Sequence, residues 1–142
     1  MAPDVHHLLS LAGETVLVTG ASGGIGQNIA RCLAEAGADI IVHCYRNQAA
    51  ADALAEEIGS DTVVQGDLGD AATVDAMIAA SAPTMGVNNA AAQCVQPLDG
   101  MQLDDWQAMM AANLDGPFLV TQRAAAAWGE AGGAIVNIAS IE

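Results

Sequence analysis

The densest chemistry near the amino terminus lies in eight consecutive residues, Thr19-Gly20-Ala21-Ser22-Gly23-Gly24-Ile25-Gly26. Half of them are glycine. They follow a β-branched apolar run at residues 15–19 (TVLVT) and open a stretch with helical apolar spacing at residues 24–36. Glycine lets the main chain turn sharply and approach a ligand closely. A helix start presents unpaired N–H groups and partial positive charge, which together suit an anion. An ordinary glycine-rich turn is the competing reading. The strand-to-helix placement favours a phosphate or diphosphate site at Gly20, Ser22, Gly24, Ile25 and Gly26.

Other residues with chemical potential lie further along. Tyr45-Arg46-Asn47 follows a second apolar strand. A guanidinium there can pair bidentately with a phosphate and stack on a flat ring, or can serve as a solvated loop charge. Asp67-Leu68 follows the third strand, and Asn88-Asn89-Ala90 follows the fourth. Asn113 sits inside a long helical segment. Ser140 closes the last strand, where it can stabilise a developing alkoxide or simply turn the chain.

These residues need a scaffold, and the pattern supplies one. Apolar strands are expected at residues 15–19, 39–44, 62–65, 84–87 and 134–138. Helices are expected at 24–36, 47–58, 71–80 and from about 104 to 128. Gly37 and Gly59 stand where helices should stop, and Asn47 can cap the second helix. Ile25, Ile29, Cys32, Leu33 and Ala36 share a stripe on the first helix. On the long helix, Trp106, Met109, Met110, Leu114 and Phe118 are expected to face inward, with a kink at Pro117. Gly86 weakens the fourth strand. Nearly all-apolar strands alternating with helices predict an α/β, doubly wound parallel sheet of the Rossmann type. Such a sheet binds ligands at the carboxyl ends of its strands.

Composition narrows the function classes. The chain has 142 residues, the length of one domain, spanning 1–142. Seventeen acids against three arginines, with no lysine, give a net charge of −14. Nucleic acid is therefore not an expected partner, because phosphate contacts need clustered cations. No stretch is apolar enough for a membrane span, and the start lacks the pattern of a signal peptide. Cys32, Cys44 and Cys94 are odd in number and far apart, which suits a reducing cytoplasm better than a disulfide framework. His6-His7 has no third ligand at motif spacing, so no metal site is expected.

Taken in order, five motifs resemble the classical short-chain dehydrogenase/reductase family, from about Leu11 to Ile141. They are Gly20-x-x-x-Gly24-x-Gly26, Asp67-Leu68, Asn88-Asn89-Ala90, Asn113 and the strand ending in Ser140. The resemblance implies an NAD(P)-binding domain and hydride transfer to a small-molecule carbonyl, a ketone or 3-oxoacyl substrate. Asp67 and Leu68 would hold adenine, and Asn89 and Ala90 would line the cofactor. Ser140 and Asn113 would be catalytic, with Asn113 helping to hold a water. The segment 43–47 is similar to that of pteridine reductases and some 3-oxoacyl-carrier-protein reductases, so Tyr45, Arg46 and Asn47 imply NADP(H) rather than NAD(H). Gly23 and Ala91 depart from the family, which often has a basic residue and a glycine there. The family's tyrosine–lysine pair is missing: Tyr45 is the only tyrosine and lysine is absent. The expectation is an amino-terminal part of the fold, its sheet stopping after the fifth strand, from a parent enzyme that forms homo-oligomers. The alternative is a non-catalytic NADP(H)-binding module or an inactive fragment.

Overall fold

The computed structural model describes residues 9–140. His6, His7, most of the segment read for a signal peptide, and the closing pair Ile141 and Glu142 lie outside the described residues. The elements run β1 (Thr15–Val18), α1 (Gly24–Glu35), β2 (Asp39–Cys44), α2 (Gln48–Ile58), β3 (Thr62–Gln65), α3 (Ala71–Ser81) and β4 (Met85–Asn88). Then come α4 (Leu103–Met110), a π turn (Ala111–Asp115), α5 (Gly116–Trp128), a short 3-10 turn (Gly129–Ala131) and β5 (Ala134–Asn137).

The strands form one parallel sheet in the order β3-β2-β1-β4-β5. Period-two alternation splits the core between its faces. Val16, Val18, Ile40 and Val42 pack with Ala30, Ala51 and Leu54 beneath α1 and α2. Leu17 and Ile41 point the other way, against Val74, Met77, Ile78, Val120 and Ala124 of α3 and α5. This is the doubly wound α/β arrangement. The strand order reverses between β1 and β4, so a crevice opens where their carboxyl ends diverge.

Local signals explain the joints. Gly37 has φ +97°; its N–H bonds to the Ala34 carbonyl while Ala38 N–H reaches Leu33, a Schellman stop for α1. The Asn47 side chain accepts from Ala50 N–H and caps α2. β4 begins one residue later than expected, at Met85. Gly86 helps it there, because a Cβ at that position would lie 2.8 Å from Ile135 Cδ1 of β5. Where a kink is expected, the long helix changes to the π turn Ala111–Asp115, and Pro117 stands in the first turn of α5, where a missing N–H is tolerated.

Two inward faces differ from expectation. Ile25 and Cys32 are exposed, and α1 instead buries Gly26 and Ala30. Trp106, Leu114 and Phe118 are half or more exposed, while α5 buries Gly116, Val120 and Ala124. β5 forms the sheet edge, with Val136 and Ile138 exposed. Among the described residues, no helix is long and apolar enough to cross a membrane.

Candidate functional site

The glycine-rich turn is built by close approach. Gly20 has φ +64°, and a Cβ there would lie 2.8 Å from Ala90 Cα. A Cβ on Gly26 would overlap the Gly20 carbonyl oxygen and lie 2.7 Å from Asn89 Nδ2. Only two bare glycines let α1 come this close to the strand that feeds it. Gly23 precedes the helix with no side-chain cap bond, and the first turn holds no acid. The amides of Gly24, Ile25 and Gly26 are therefore left for an outside acceptor, beside Ser22.

The turn is braced from β4. Thr19 Oγ1 donates to the Val87 carbonyl and accepts from the Asn89 and Ala90 N–H groups. Asn89 Nδ2 donates to the carbonyls of Thr19 and Gly20. The side chain of Asn89 thus points back into the turn. Thr19 heads the turn but had no role in the motif reading, although a buried threonine at a strand end needs partners and so carried a signal.

Arg46 and Tyr45 follow β2 at the same end of the sheet. The Arg46 guanidinium lies 4.8 Å from the Tyr45 ring centroid. Arg31 pairs with Glu57 and Arg123 with Asp75. Among the described residues Arg46 is the arginine with no carboxylate partner. Cys44, at the end of β2, is buried in the core, and burial pushes its thiol up. Asp67 Oδ1 accepts from Gly69 N–H within its own turn. The Leu68 side chain belongs to the core, so only its main chain is available to a ligand.

Asn113 and Ser140 line one open cleft of about 1140 Å³, with Ile25, Ala90 and Asn137. Asn113 sits in the π turn, and both polar atoms of its amide bond to Ala92. Oδ1 accepts from Ala92 N–H and Nδ2 donates to the Ala92 carbonyl, each at 2.8 Å. At the cleft floor, Asn88 Nδ2 reaches Thr121 Oγ1 and Asn137 Oδ1, tying β4 to α5 and β5.

His43 is the second residue that motif reading set aside. It is 1% exposed on β2. Nδ1 accepts from Gly20 N–H at 3.0 Å, and Nε2 lies 3.1 Å from the Gly66 carbonyl. Burial holds it below the usual histidine range, against opposing pulls from Gly66 and Asp67. In the unfolded chain it titrates near ~6.5. Between that value and the lower folded one, the unfolded state binds more protons. Stability is therefore intact above pH ~6.5 and falls as pH drops towards the folded value, by up to about 1.4 kcal/mol per pH unit. Urea unfolding from neutral to mildly acidic pH should show a steeper loss for the parent than for His43→Asn. Parallel profiles would mean that the ring does not titrate differently on folding.

Comparison with known proteins agrees with this fold. Residues 14–142 match the family model described as short chain dehydrogenase. D-threitol dehydrogenase of Mycolicibacterium smegmatis is 40% identical over 140 residues, 92% of this chain and 54% of that protein. A 3-oxoacyl-[acyl-carrier-protein] reductase of Synechocystis is 35% identical, over 94% of this chain and 58% of its own length. The crystal structure of a gluconate 5-dehydrogenase from Burkholderia cenocepacia in complex with NADP and tartrate superposes with a TM-score of 0.83. It is 37% identical, over 96% of this chain and 57% of that one. The chain thus spans little more than half the length of the relatives it matches.

Proposed function

Because this chain belongs to the short-chain dehydrogenase family, we propose that residues 1–142 are the dinucleotide-binding domain of an NADP(H)-dependent oxidoreductase acting on a carbonyl substrate, a ketone or 3-oxoacyl group. One observation carries the reading: Gly26 packs directly on the Gly20 carbonyl and leaves the first turn of α1 open and uncapped. That corner fits a diphosphate, since N–H groups meet an anion there with no acid to repel it.

The roles follow from placement. Gly20, Ser22, Gly24, Ile25 and Gly26 form the diphosphate cradle, backed by Asn89 and Ala90. Arg46, with Tyr45 and Asn47 beside it, holds the 2′-phosphate of NADP(H). Asp67 and the Leu68 main chain border the adenine. When bound, the nicotinamide supplies or accepts the hydride. Ser140 donates a hydrogen bond to the substrate carbonyl, stabilising charge that grows on its oxygen. Asn113 clamps Ala92 with its side chain, so holding a water falls to its main-chain carbonyl. Pro117, four residues on, has no N–H to offer that carbonyl.

A matched proton donor contributes roughly 10²–10⁴-fold to such a reaction. Tyr45 does not line the cleft, and the sequence contains no lysine. The reductase reading thus needs a donor from outside these residues, in a parent enzyme we take to be a homo-oligomer. For these 142 residues alone, the same observation favours NADP(H) binding without turnover.

Titration with NADPH, followed by nicotinamide fluorescence, tests the proposal. Saturable binding is expected, tighter than for NADH, with no reduction of a ketone panel. A folded chain without affinity for either nucleotide overturns the proposal. Turnover by these residues alone overturns the assignment of the proton donor.

A further inference from the structure

Three buried polar side chains stand out in the described core: Thr19, His43 and Asn88. Thr19 and Asn88 join neighbouring strands. His43 does something different, because its ring reaches two loops on either side of β2. We propose, resting on the dinucleotide reading above, that His43 is a positioning residue that fixes the spacing between the diphosphate turn at Gly20 and the adenine corner at Gly66-Asp67.

The partners dictate the state of the ring. An amide N–H can only donate, so Nδ1 facing Gly20 N–H carries no proton. A carbonyl can only accept, so Nε2 facing Gly66 carries one. The imidazole is therefore neutral and in a single tautomer, and its width sets the separation of the two loops.

Both ends of this tether are rigid. The Gly20 carbonyl accepts from Gly23 N–H and Asn89 Nδ2, and the next amide, Ala21 N–H, bonds to the His43 carbonyl at 2.8 Å. Gly20 is thus held on both sides of its peptide in a left-handed conformation. At the other end, Gly66 N–H bonds to the Cys44 carbonyl, and a Cβ on Gly66 would overlap the Thr73 methyl. Asp67 follows directly, its carboxylate accepting from Gly69 N–H within the same turn.

The adenosine diphosphate half of a dinucleotide must touch both loops at once. Holding them at the right separation before binding removes an ordering cost from binding. Releasing one tie should weaken binding by the value of about one hydrogen bond, up to roughly tenfold.

Three variants separate this role from bulk packing. His43→Leu keeps apolar volume and loses both ties. His43→Asn places an amide oxygen near the Nδ1 position and restores the Gly20 bond. His43→Gln places an amide nitrogen near the Nε2 position and restores the Gly66 bond. The readouts are affinities for NADP+, which spans both loops, and for 2′-AMP, which occupies only the adenine side. Amide hydrogen exchange is measured on the same full chains.

NADP+ affinity should fall about tenfold or more in His43→Leu, while 2′-AMP affinity stays within about twofold. His43→Asn should recover slow exchange at the Gly20 amide, whereas His43→Gln, which restores only a bond accepted by the Gly66 carbonyl, should leave the Gly20 amide exchanging fast, each with intermediate NADP+ affinity. If His43→Leu does not fold, the opposite exchange patterns of the Asn and Gln variants decide. The proposal is overturned if NADP+ binding is unchanged in His43→Leu. It is equally overturned if Asn and Gln behave alike, or if both ligands weaken in parallel. A parent chain that binds no NADP+ would instead bring down the dinucleotide reading, and the positioning role with it.

Discussion

Gly26→Ala should abolish useful dinucleotide binding, with a loss of about 100-fold or more, equivalent to ~2.7 kcal/mol. The added methyl has nowhere to go. It would overlap the Gly20 carbonyl oxygen and lie 2.7 Å from Asn89 Nδ2 and 2.8 Å from Ala21 Cα. Two of these three atoms are backbone, so no rotamer change relieves the clash. The helix start must move away from the turn, and its amides move with it. Overpacking of this kind costs typically ~1–3 kcal/mol in stability as well, so the melting temperature should also fall. Gly24→Ala is the matched control. Its Cβ meets nothing within 4 Å, so stability should be kept or slightly raised. Calorimetric titration with NADP+ and thermal unfolding of both variants make the comparison. A Gly26→Ala protein that binds NADP+ like the parent would remove this corner as the binding site.

Arg46→Ala should weaken NADPH by about 10- to 100-fold while changing NADH by less than about twofold. The range follows from losing one or two charge-assisted hydrogen bonds, each worth ~1.5–3 kcal/mol when well formed and less at an exposed site. The chain offers no substitute. Arg31 is tied to Glu57 across α1 and α2, where the hydrogen bond, and then the partner's charge, favours the ionised form of each. Arg123 is tied to Asp75 across α5 and α3. With net charge −14, the rest of the molecule repels a phosphate. Both nucleotides should be titrated at one low ionic strength, because screening would shrink the difference. Equal losses for NADPH and NADH would show that Arg46 does not read the 2′-phosphate. Gly23→Arg offers a gain-side check. A Cβ there meets only the Gly20 oxygen at 3.4 Å, so a second cation fits and should tighten NADPH.

Much of the scaffold was legible in the residues themselves. Runs such as TVLVT and DIIVHC hold three consecutive apolar residues at their centres, 16–18 and 40–42, which suits a strand covered on both faces. Each is followed by a helical stripe, and Gly37 and Asn47 mark helix ends by their own local chemistry. The glycine spacing from Gly20 to Gly26 and the order of the later motifs were equally readable. Several element ends shifted by a residue, while Gly86 acts through Ile135 of the neighbouring strand and Pro117 follows a π turn that spacing alone does not show.

The site was less legible, and the reason differs from residue to residue. Ile25 and Cys32 share a helical face with Ile29 and Leu33, but spacing does not say how much of that face the sheet covers. Here the bare Gly26 and Ala30 rotate the contact, and Ile25 is left at the cleft. Trp106, Leu114 and Phe118 likewise form a stripe, yet Gly116 is the residue small enough to sit on Leu68. Asn113 was recognisable as a motif position, but not as a clamp on Ala92.

Sequence alone determined the alternation of strand and helix, the phosphate-suited turn and the family, because these depend on short-range spacing and on residue type. Tertiary structure alone decided which polar groups meet. His43 finds Gly20 and Gly66, each 23 residues away, and Asn89 finds Thr19 across 70. A hydrogen bond acts over about 3 Å of space and carries no trace of its span along the chain. Only the closed sheet brings such partners within reach.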